Sequence, residues 1–169
     1  MIPVVTIDGP SGSGKGTISK DLAIQLGWNY LDSGLIYRCF AYLTMIGTID
    51  IPKAIREIEH NFDLNKEEIL FNGENITSAI RGTEVTMLSS ELSQKPEVRS
   101  QLIEIQKTFR EHPGLVAEGR DMSSKLFPDS FVKIYLTASL DVRVKRRSKQ
   151  LIQSNISFDE IDLRRDIQE

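Results

Sequence analysis

The sequence holds a single cysteine, Cys39, and only two histidines, His60 and His112. One thiol excludes an internal disulfide and any zinc site built on paired cysteines. The two histidines lie far apart and show no metal-ligand spacing. Excess positive charge is missing too: 21 Lys and Arg stand against 24 Asp and Glu, for a formal net charge of −3 and a pI near 5.5. That balance excludes a broadly cationic nucleic-acid binder and leaves room for a local basic pocket. No apolar run approaches the ~20 residues that span a bilayer. Met1 to Ile7 is apolar, but no basic segment precedes it and Asp8 ends it, so it does not read as a secretory signal. The expectation is a cytoplasmic protein with neither membrane nor nucleic acid as partner.

What is present is ordinary in bulk. The 169 residues, 27% charged and 40% hydrophobic, suit one globular core with room for a small insert. Pro3 to Asp8 (PVVTID) is a short β-branched run that reads as a buried strand. A glycine-rich loop, Gly9 to Gly16, follows. Thr17 to Leu26 has apolar positions at helical spacing and ends at Gly27. Trp28 to Leu31 reads as a second strand and Leu35 to Ile46 as a second helix. Strand, glycine turn, helix, strand is the pattern of a parallel α/β sheet. The middle differs. Phe62 to Leu64 and Ile69 to Phe71 are short strand-like runs, and Asn72-Gly73 is a hairpin signal. Residues 61–82 therefore read as a small antiparallel insert between core segments 1–60 and 83–140. Helices are expected over Thr83 to Lys95 and Glu97 to Glu111, broken at Pro96. Two further buried strands, Gly114 to Glu118 and Phe131 to Leu136, precede polar helices over Asp141 to Gln153 and Phe158 to Gln168.

The glycine-rich loop carries the most specific chemistry. Gly9-Pro10-Ser11-Gly12-Ser13-Gly14-Lys15-Gly16-Thr17 fits G-x-x-x-x-G-K, with an apolar strand before it and an amphipathic helix after it. Glycines let successive N–H groups curl round a phosphate, and the helix adds its positive end. Lys15 can reach the outer phosphates, so the ligand read from this motif is ATP. Thr17 sits one residue later than the usual metal-binding hydroxyl, which argues against direct contact with Mg²⁺.

Three further clusters flank the loop. Ser33, Tyr37 and Arg38 follow the second strand, at the sheet edge where ligands bind. They read either as a base and phosphate site or as a helix N-cap, a packed ring and a surface charge. Arg120 and Asp121 follow the strand GLVAE, where Arg can hold phosphate and Asp an amine or a sugar hydroxyl. The run Arg143-Val144-Lys145-Arg146-Arg147 is either a solvated helix face or a cation patch over transferring phosphate, with Arg143 and Arg147 on one face. Arg81 and Arg99, isolated in sequence, read by themselves as solvated.

Taken together, GPSGSGKGT, LDSGLIYR, IRGTEV, the PEVR of Pro96 to Arg99, PGLVAEGRDM and FPDSFVKIYLTAS resemble the bacterial cytidylate kinases, in the same order and over nearly the whole chain. Adenylate kinases carry a different acceptor-helix pattern, and shikimate kinases lack the insert. The resemblance implies a P-loop nucleoside monophosphate kinase fold, with a parallel sheet flanked by helices and an insert that binds the acceptor. It implies transfer of the ATP γ-phosphoryl to CMP or dCMP by a monomer. Mg²⁺ would be held largely through water, without a direct ligand. It further implies that Ser33, Tyr37, Arg38, Arg81, Ser90, Arg99, Arg120 and Asp121 contact the acceptor, and that Lys15, Arg120, Arg143 and Arg147 serve the transfer. Ser90, Arg120 and Asp121 would lie near the cytosine and sugar, and Arg38 near the phosphate. Family members continue into a lid motif, R-D-x-x-D-x-x-R, then a strand and a helix. This sequence stops at Asp166-Ile167-Gln168-Glu169, so residues 141–169 read as a partial lid and the chain as a fragment of low turnover. Two rival readings are another small-molecule P-loop kinase and a nucleotide-binding fragment without transfer.

Overall fold

A computed structural model of the chain describes residues 1–63, 66–153 and 157–168. Four parallel strands form the main sheet in the order β2-β6-β1-β7: β1 (Val4–Asp8), β2 (Asn29–Asp32), β6 (Leu115–Gly119) and β7 (Val132–Tyr135). β1 and β6 are central and buried along their full length, which is why both read as near-continuous apolar runs. The side chains still alternate. Val4, Leu31, Leu115 and Ala117 enter the larger core under α2 (Ser33–Met45), α4 (Thr83–Leu92) and α5 (Pro96–Lys107). Val5, Ile7, Tyr30 and Val116 face the other way, toward Ala23 of α1 (Lys15–Leu26).

The register aligns the strand ends in one row. Asp8 lies opposite both Gly119 and Tyr135, and Asp32 opposite Glu118. The loops leaving β1, β2 and β6 therefore open on the same carboxyl edge, with β6 inserted between β1 and the strand that follows it in sequence.

The helices after β2 and before the insert begin on side-chain caps. The Asp32 carboxylate accepts the Leu35 N–H at 2.9 Å, so Asp32 rather than Ser33 is the N-cap of α2. Asp50 caps α3 (Ile51–Arg56) in the same way. This six-residue helix has no counterpart in the sequence reading, because it is too short to show a period. The observed α4 and α5 stop at Leu92 and Lys107, short of the expected Lys95 and Glu111.

The insert is a second sheet, with antiparallel order β3-β4-β5 (Glu59–Phe62, Glu67–Phe71, Glu74–Asn75). Asn72 (φ 51°) and Gly73 (φ 79°) both take left-handed backbone between β4 and β5, the geometry of a type I′ turn. β3 begins at Glu59, earlier than the expected Phe62, because its outward positions are polar and hide the strand from an apolar-run criterion. Leu64, the expected end of that strand, lies outside the described residues. Ile69, Ile76 and Ile80 pack on Leu35 and Cys39 of α2, which seats the insert on the core.

β7 corrects an expectation. It was read as buried, yet all four of its residues are exposed. The strand lies at the sheet edge and pairs only with β1. β2 is an edge strand too and keeps Tyr30 and Leu31 buried, so what β7 lacks among the described residues is substantial helix packing on its faces. α6 (Leu140–Gln153) and α7 (Glu160–Gln168) pack on one another through Val144, Leu163 and Ile167. The expected final residue of that region, Glu169, lies outside the described residues.

Candidate active site

The phosphate loop joins β1 to α1 and is held from three sides. The Gly9 N–H donates to the Gly119 carbonyl (3.1 Å), and a Cβ at residue 9 would stand 2.1 Å from the Leu136 carbonyl oxygen, so only glycine fits there. Gly12 (φ 74°) and Gly14 (φ 96°) turn the loop through left-handed backbone. Arg146 of α6 donates to the carbonyls of Ser13 (2.7 Å) and Gly12 (3.4 Å). With those carbonyls tied back, the loop can present N–H groups forward, at the start of the 12-residue α1. The Ser13 hydroxyl is buried without a hydrogen-bond partner, so it can bond a phosphate oxygen without breaking another bond. A cavity of about 340 Å³ opens beside the loop, lined by Gly9, Pro10, Ser11, Arg120, Tyr135 and Arg143 among others.

Lys15 leans inward. Its ammonium lies 3.8 Å from the Glu118 carboxylate and 3.5 Å from the Pro10 carbonyl. Glu118, at the end of β6 and only 4% exposed, also accepts the Tyr30 hydroxyl at 2.7 Å. Burial and the neighbouring Asp32 carboxylate push the Glu118 carboxyl up to about 7, against the opposing pull of Lys15 and Tyr30. The same burial, with Asp32 and Glu118 nearby, pushes the Tyr30 phenol far above its usual range and keeps it a donor. In this corner Lys15 faces Glu118, while Asp32 is paired with Arg38.

The loop after β6 is fixed by Asp8. Its carboxylate, 4% exposed, accepts the N–H of Met122 (2.8 Å), the N–H of Ser123 (2.9 Å) and the Ser123 hydroxyl (2.6 Å). The end of β1 thus grips the π-helical turn Met122–Leu126 and sets the direction of the preceding Arg120 and Asp121. A Cβ on Gly119 would meet the Met122 Sδ and Cε atoms within 3.2 Å, so a larger residue there would have to displace the flexible Met122 side chain.

Asp121, Arg99 and Tyr37 come together from three elements. The Arg99 Nη2 donates to Asp121 at 2.5 Å, and its Nη1 to the Ser93 carbonyl at 3.2 Å. Lys125 stands 3.7 Å from the same carboxylate. Burial raises the Tyr37 phenol, with Arg99 pulling it down and Asp121 pushing it up. Ser90 is exposed on α4, and its hydroxyl donates to the Thr86 carbonyl. Its own carbonyl accepts the Ser93 hydroxyl at 2.7 Å, one link from Arg99. Ser33 is buried in the first turn of α2.

A second convergence is cationic. Arg38 lies 3.6 Å from Asp32, and its Nε is buried without a partner. Arg147 of α6 is depressed first by burial and then by the guanidinium groups of Arg38 and Arg81 beside it. Three arginines that are remote in sequence therefore lie within electrostatic range of one another, with Arg38 paired to Asp32 and Arg81 to Glu67, and such a group of cations suits a phosphate dianion. Arg143 is placed differently. It lies beside the loop, but its Nη1 donates to the Ile167 carbonyl of α7 at 2.7 Å.

A cytidylate kinase family model matches residues 5–169. The chain belongs to the cytidylate kinase family. It is 42% identical to the cytidylate kinase of Polynucleobacter necessarius over 177 aligned residues, which cover 99% of this chain and 80% of that protein. It is 42% identical to that of Polynucleobacter asymbioticus, covering 99% of this chain and 78% of the relative. To that of Stutzerimonas stutzeri it is 44% identical, covering 89% and 70%.

For a member of this family, the sequence-predicted residues fall into four groups. Residues 9–17 form the loop, and Arg120 lines the cavity beside it. Tyr37, Arg99 and Asp121 meet at its flank. Arg38, Arg81 and Arg147 form the cationic group. Ser90 bonds within α4, Ser33 is buried in the first turn of α2, and Arg143 lines the cavity while bonding α7. Sequence reasoning passed over Asp8, Asp32, Glu118 and Arg146. A charged residue ending an otherwise apolar strand was the available signal for Asp8, Asp32 and Glu118, while Arg146 stood unremarked inside the basic run.

Mg²⁺, implied for a kinase, was tested against the donor set. Among the described residues no group of three or more His, Cys, Asp or Glu converges into a cage. Glu118 is engaged by Tyr30 and Lys15, and Asp32 by the Leu35 N–H and Arg38, so the donor set fits an ion held through water and substrate phosphate rather than by direct carboxylate ligation. Among the described residues no helix is long and apolar enough to cross a membrane.

Proposed function

We propose that this protein transfers the γ-phosphoryl group of ATP to CMP or dCMP, giving ADP and CDP or dCDP. The observation that carries this reading is the juxtaposition at one sheet edge of a phosphate loop with Lys15 and two converging groups, Tyr37-Arg99-Asp121 and Arg38-Arg81-Arg147. The names of the relatives support CMP as acceptor.

The loop N–H groups and Lys15 hold the ATP phosphates. Lys15 then exchanges Glu118 for the outer phosphate. Arg38, Arg81 and Arg147 receive the acceptor phosphate, and Arg120 stands between the two sites. Asp121, oriented by Arg99, accepts from the cytosine amine or a sugar hydroxyl, and Tyr37 and Ser33 border that subsite. Ser90 and Arg143 contribute from the rim. The acceptor phosphate oxygen is already a nucleophile, so no strong base is required. Rate comes from alignment of the two nucleotides and from neutralised charge. Mg²⁺, held through water near Glu118 and Thr17 and by the substrate phosphates, would supply positive charge at the transferring phosphoryl. The antiparallel insert forms one wall of the acceptor site, and the α6–α7 pair overlies the loop. We place the reaction in the cytoplasm, carried out by a monomer.

Coupled assays of ATP consumption with CMP, dCMP, UMP, AMP and shikimate test this, beside calorimetry with ATP and with CMP. CMP and dCMP should exceed the others as acceptors and as ligands. Equal response to all five acceptors would overturn the assignment.

A further inference from the structure

Glu67, on β4 of the insert, is absent from every motif above, yet its carboxylate takes three charged or ring donors from three different elements. Its Oε1 takes both the Lys20 ammonium and His60 Nε2, the latter at 2.8 Å. Its Oε2 takes the Arg81 guanidinium. The three donors come from different places: α1 just behind the phosphate loop, β3, and the 3-10 turn that closes the insert (Ala79–Arg81). The Glu67 side chain is only 14% exposed, while Arg81 is 47% exposed and bound through one nitrogen. Its remaining donors are therefore available to a ligand. Burial alone would raise the Glu67 carboxyl, but the hydrogen bonds from His60 and Lys20 and the charges of Lys20 and Arg81 hold it well below the usual range. The carboxylate is a permanent anion.

We infer that Glu67 is a positioning residue that fixes the Arg81 guanidinium for the acceptor phosphate, using Lys20 of α1 as its anchor on the ATP-binding core. This rests on the proposed acceptor site. Glu67 is the carboxylate that pairs with Arg81, and without it the repulsion that Arg81 shares with Arg147 would favour a swing of the half-exposed guanidinium toward solvent. With Glu67 bound, like-charge repulsion is offset and the guanidinium stays in the cluster. The same carboxylate ties the insert to the helix that follows Lys15, so the distance between the two nucleotide sites passes through one ion-paired group. The nearby Tyr30 and Phe62 rings pack on His60 (centroids 5.5 and 5.1 Å) and limit how far its imidazole can move.

Calorimetry on the 169-residue protein separates this role from general support of the fold. Wild type is titrated with CMP and with ATP, then compared with Glu67→Gln, Arg81→Ala, the double variant and Lys20→Met. Glu67→Gln should weaken CMP binding five- to tenfold and change ATP binding less than twofold. In the Arg81→Ala background the same substitution should add less than twofold. Lys20→Met should weaken CMP in the same direction by a smaller factor, and it carries the test if Glu67→Gln does not fold. Unchanged or tighter CMP binding would overturn the inference, as would equal weakening of both nucleotides or full additivity with Arg81→Ala. Wild type that binds ATP but not CMP would sink the acceptor assignment itself, whereas wild-type CMP binding with an unaffected Glu67→Gln sinks only this inference.

Discussion

Replacing Asp8 with alanine removes the group that joins β1 to the turn after β6. Three hydrogen bonds to a buried carboxylate are lost, from the Met122 and Ser123 N–H groups and the Ser123 hydroxyl. A bond to a charged acceptor contributes about 1.5–3 kcal/mol, and a buried N–H left unpaired costs about 1–3 kcal/mol. These losses share one site and do not add fully. The serine hydroxyl can also rotate toward water, so the expected destabilisation is roughly 3–5 kcal/mol. Set against a typical domain stability of about 5–15 kcal/mol, that is a large fraction, and at about 2–4 °C per kcal/mol it lowers Tm by roughly 10 °C. Asp8→Asn keeps one accepting oxygen but turns an amide NH₂ toward the Ser123 donors, so it should cost less than alanine and more than about 1 kcal/mol. Urea unfolding, extrapolated linearly to water, gives both numbers. The freed turn carries Arg120 and Asp121, so CMP binding should fall more than ATP binding. A destabilisation below about 1 kcal/mol for Asp8→Ala would refute the reasoning, because it would mean the turn holds its shape without the carboxylate.

Three further outcomes are expected. Lys15→Met should abolish turnover and weaken ATP binding, and retention of activity within about tenfold would remove Lys15 from the phosphate site. Arg120→Ala should weaken CMP more than ATP, and an equal effect on both would move Arg120 out of the acceptor site. Glu118 makes the stability of the nucleotide-free protein depend on pH. Its folded carboxyl, near 7 against an ordinary 4.5, gives the folded state more bound protons than the unfolded state between those values. The Glu118 contribution is therefore fully present below about pH 4.5 and is lost as pH rises through about 7, on the order of 2–3 kcal/mol in all. Thermal melts of wild type and Glu118→Gln across pH 5–8 check this, and parallel curves would show that Glu118 does not titrate there.

Much of the local structure was legible in advance. Asn72-Gly73 announced its hairpin because few residues tolerate two consecutive left-handed positions. The glycine loop announced its role because its backbone path excludes a Cβ, as Gly9 against Leu136 shows. β7 misled because an apolar run is silent about what covers it; among the described residues no helix packs substantially on its faces, whereas edge strand β2 is covered and buried at its centre. α3 escaped notice because six residues are too few to show a period. Its Asp50 cap and Pro52 were the signals available.

By itself, the sequence determined the family, the glycine-rich loop between strand and helix, and the alternation of strand and helix. All of these are encoded within a few neighbouring positions, where backbone conformation and side-chain spacing settle the chemistry. The tertiary structure alone decided which distant charges share a dielectric environment. Lys15 against Glu118, Asp8 under the Met122 turn, Arg147 beside Arg38 and Arg81, and Glu67 among Lys20, His60 and Arg81 join residues from different elements. Electrostatic energy depends on distance and burial, and neither can be read from separation along the chain.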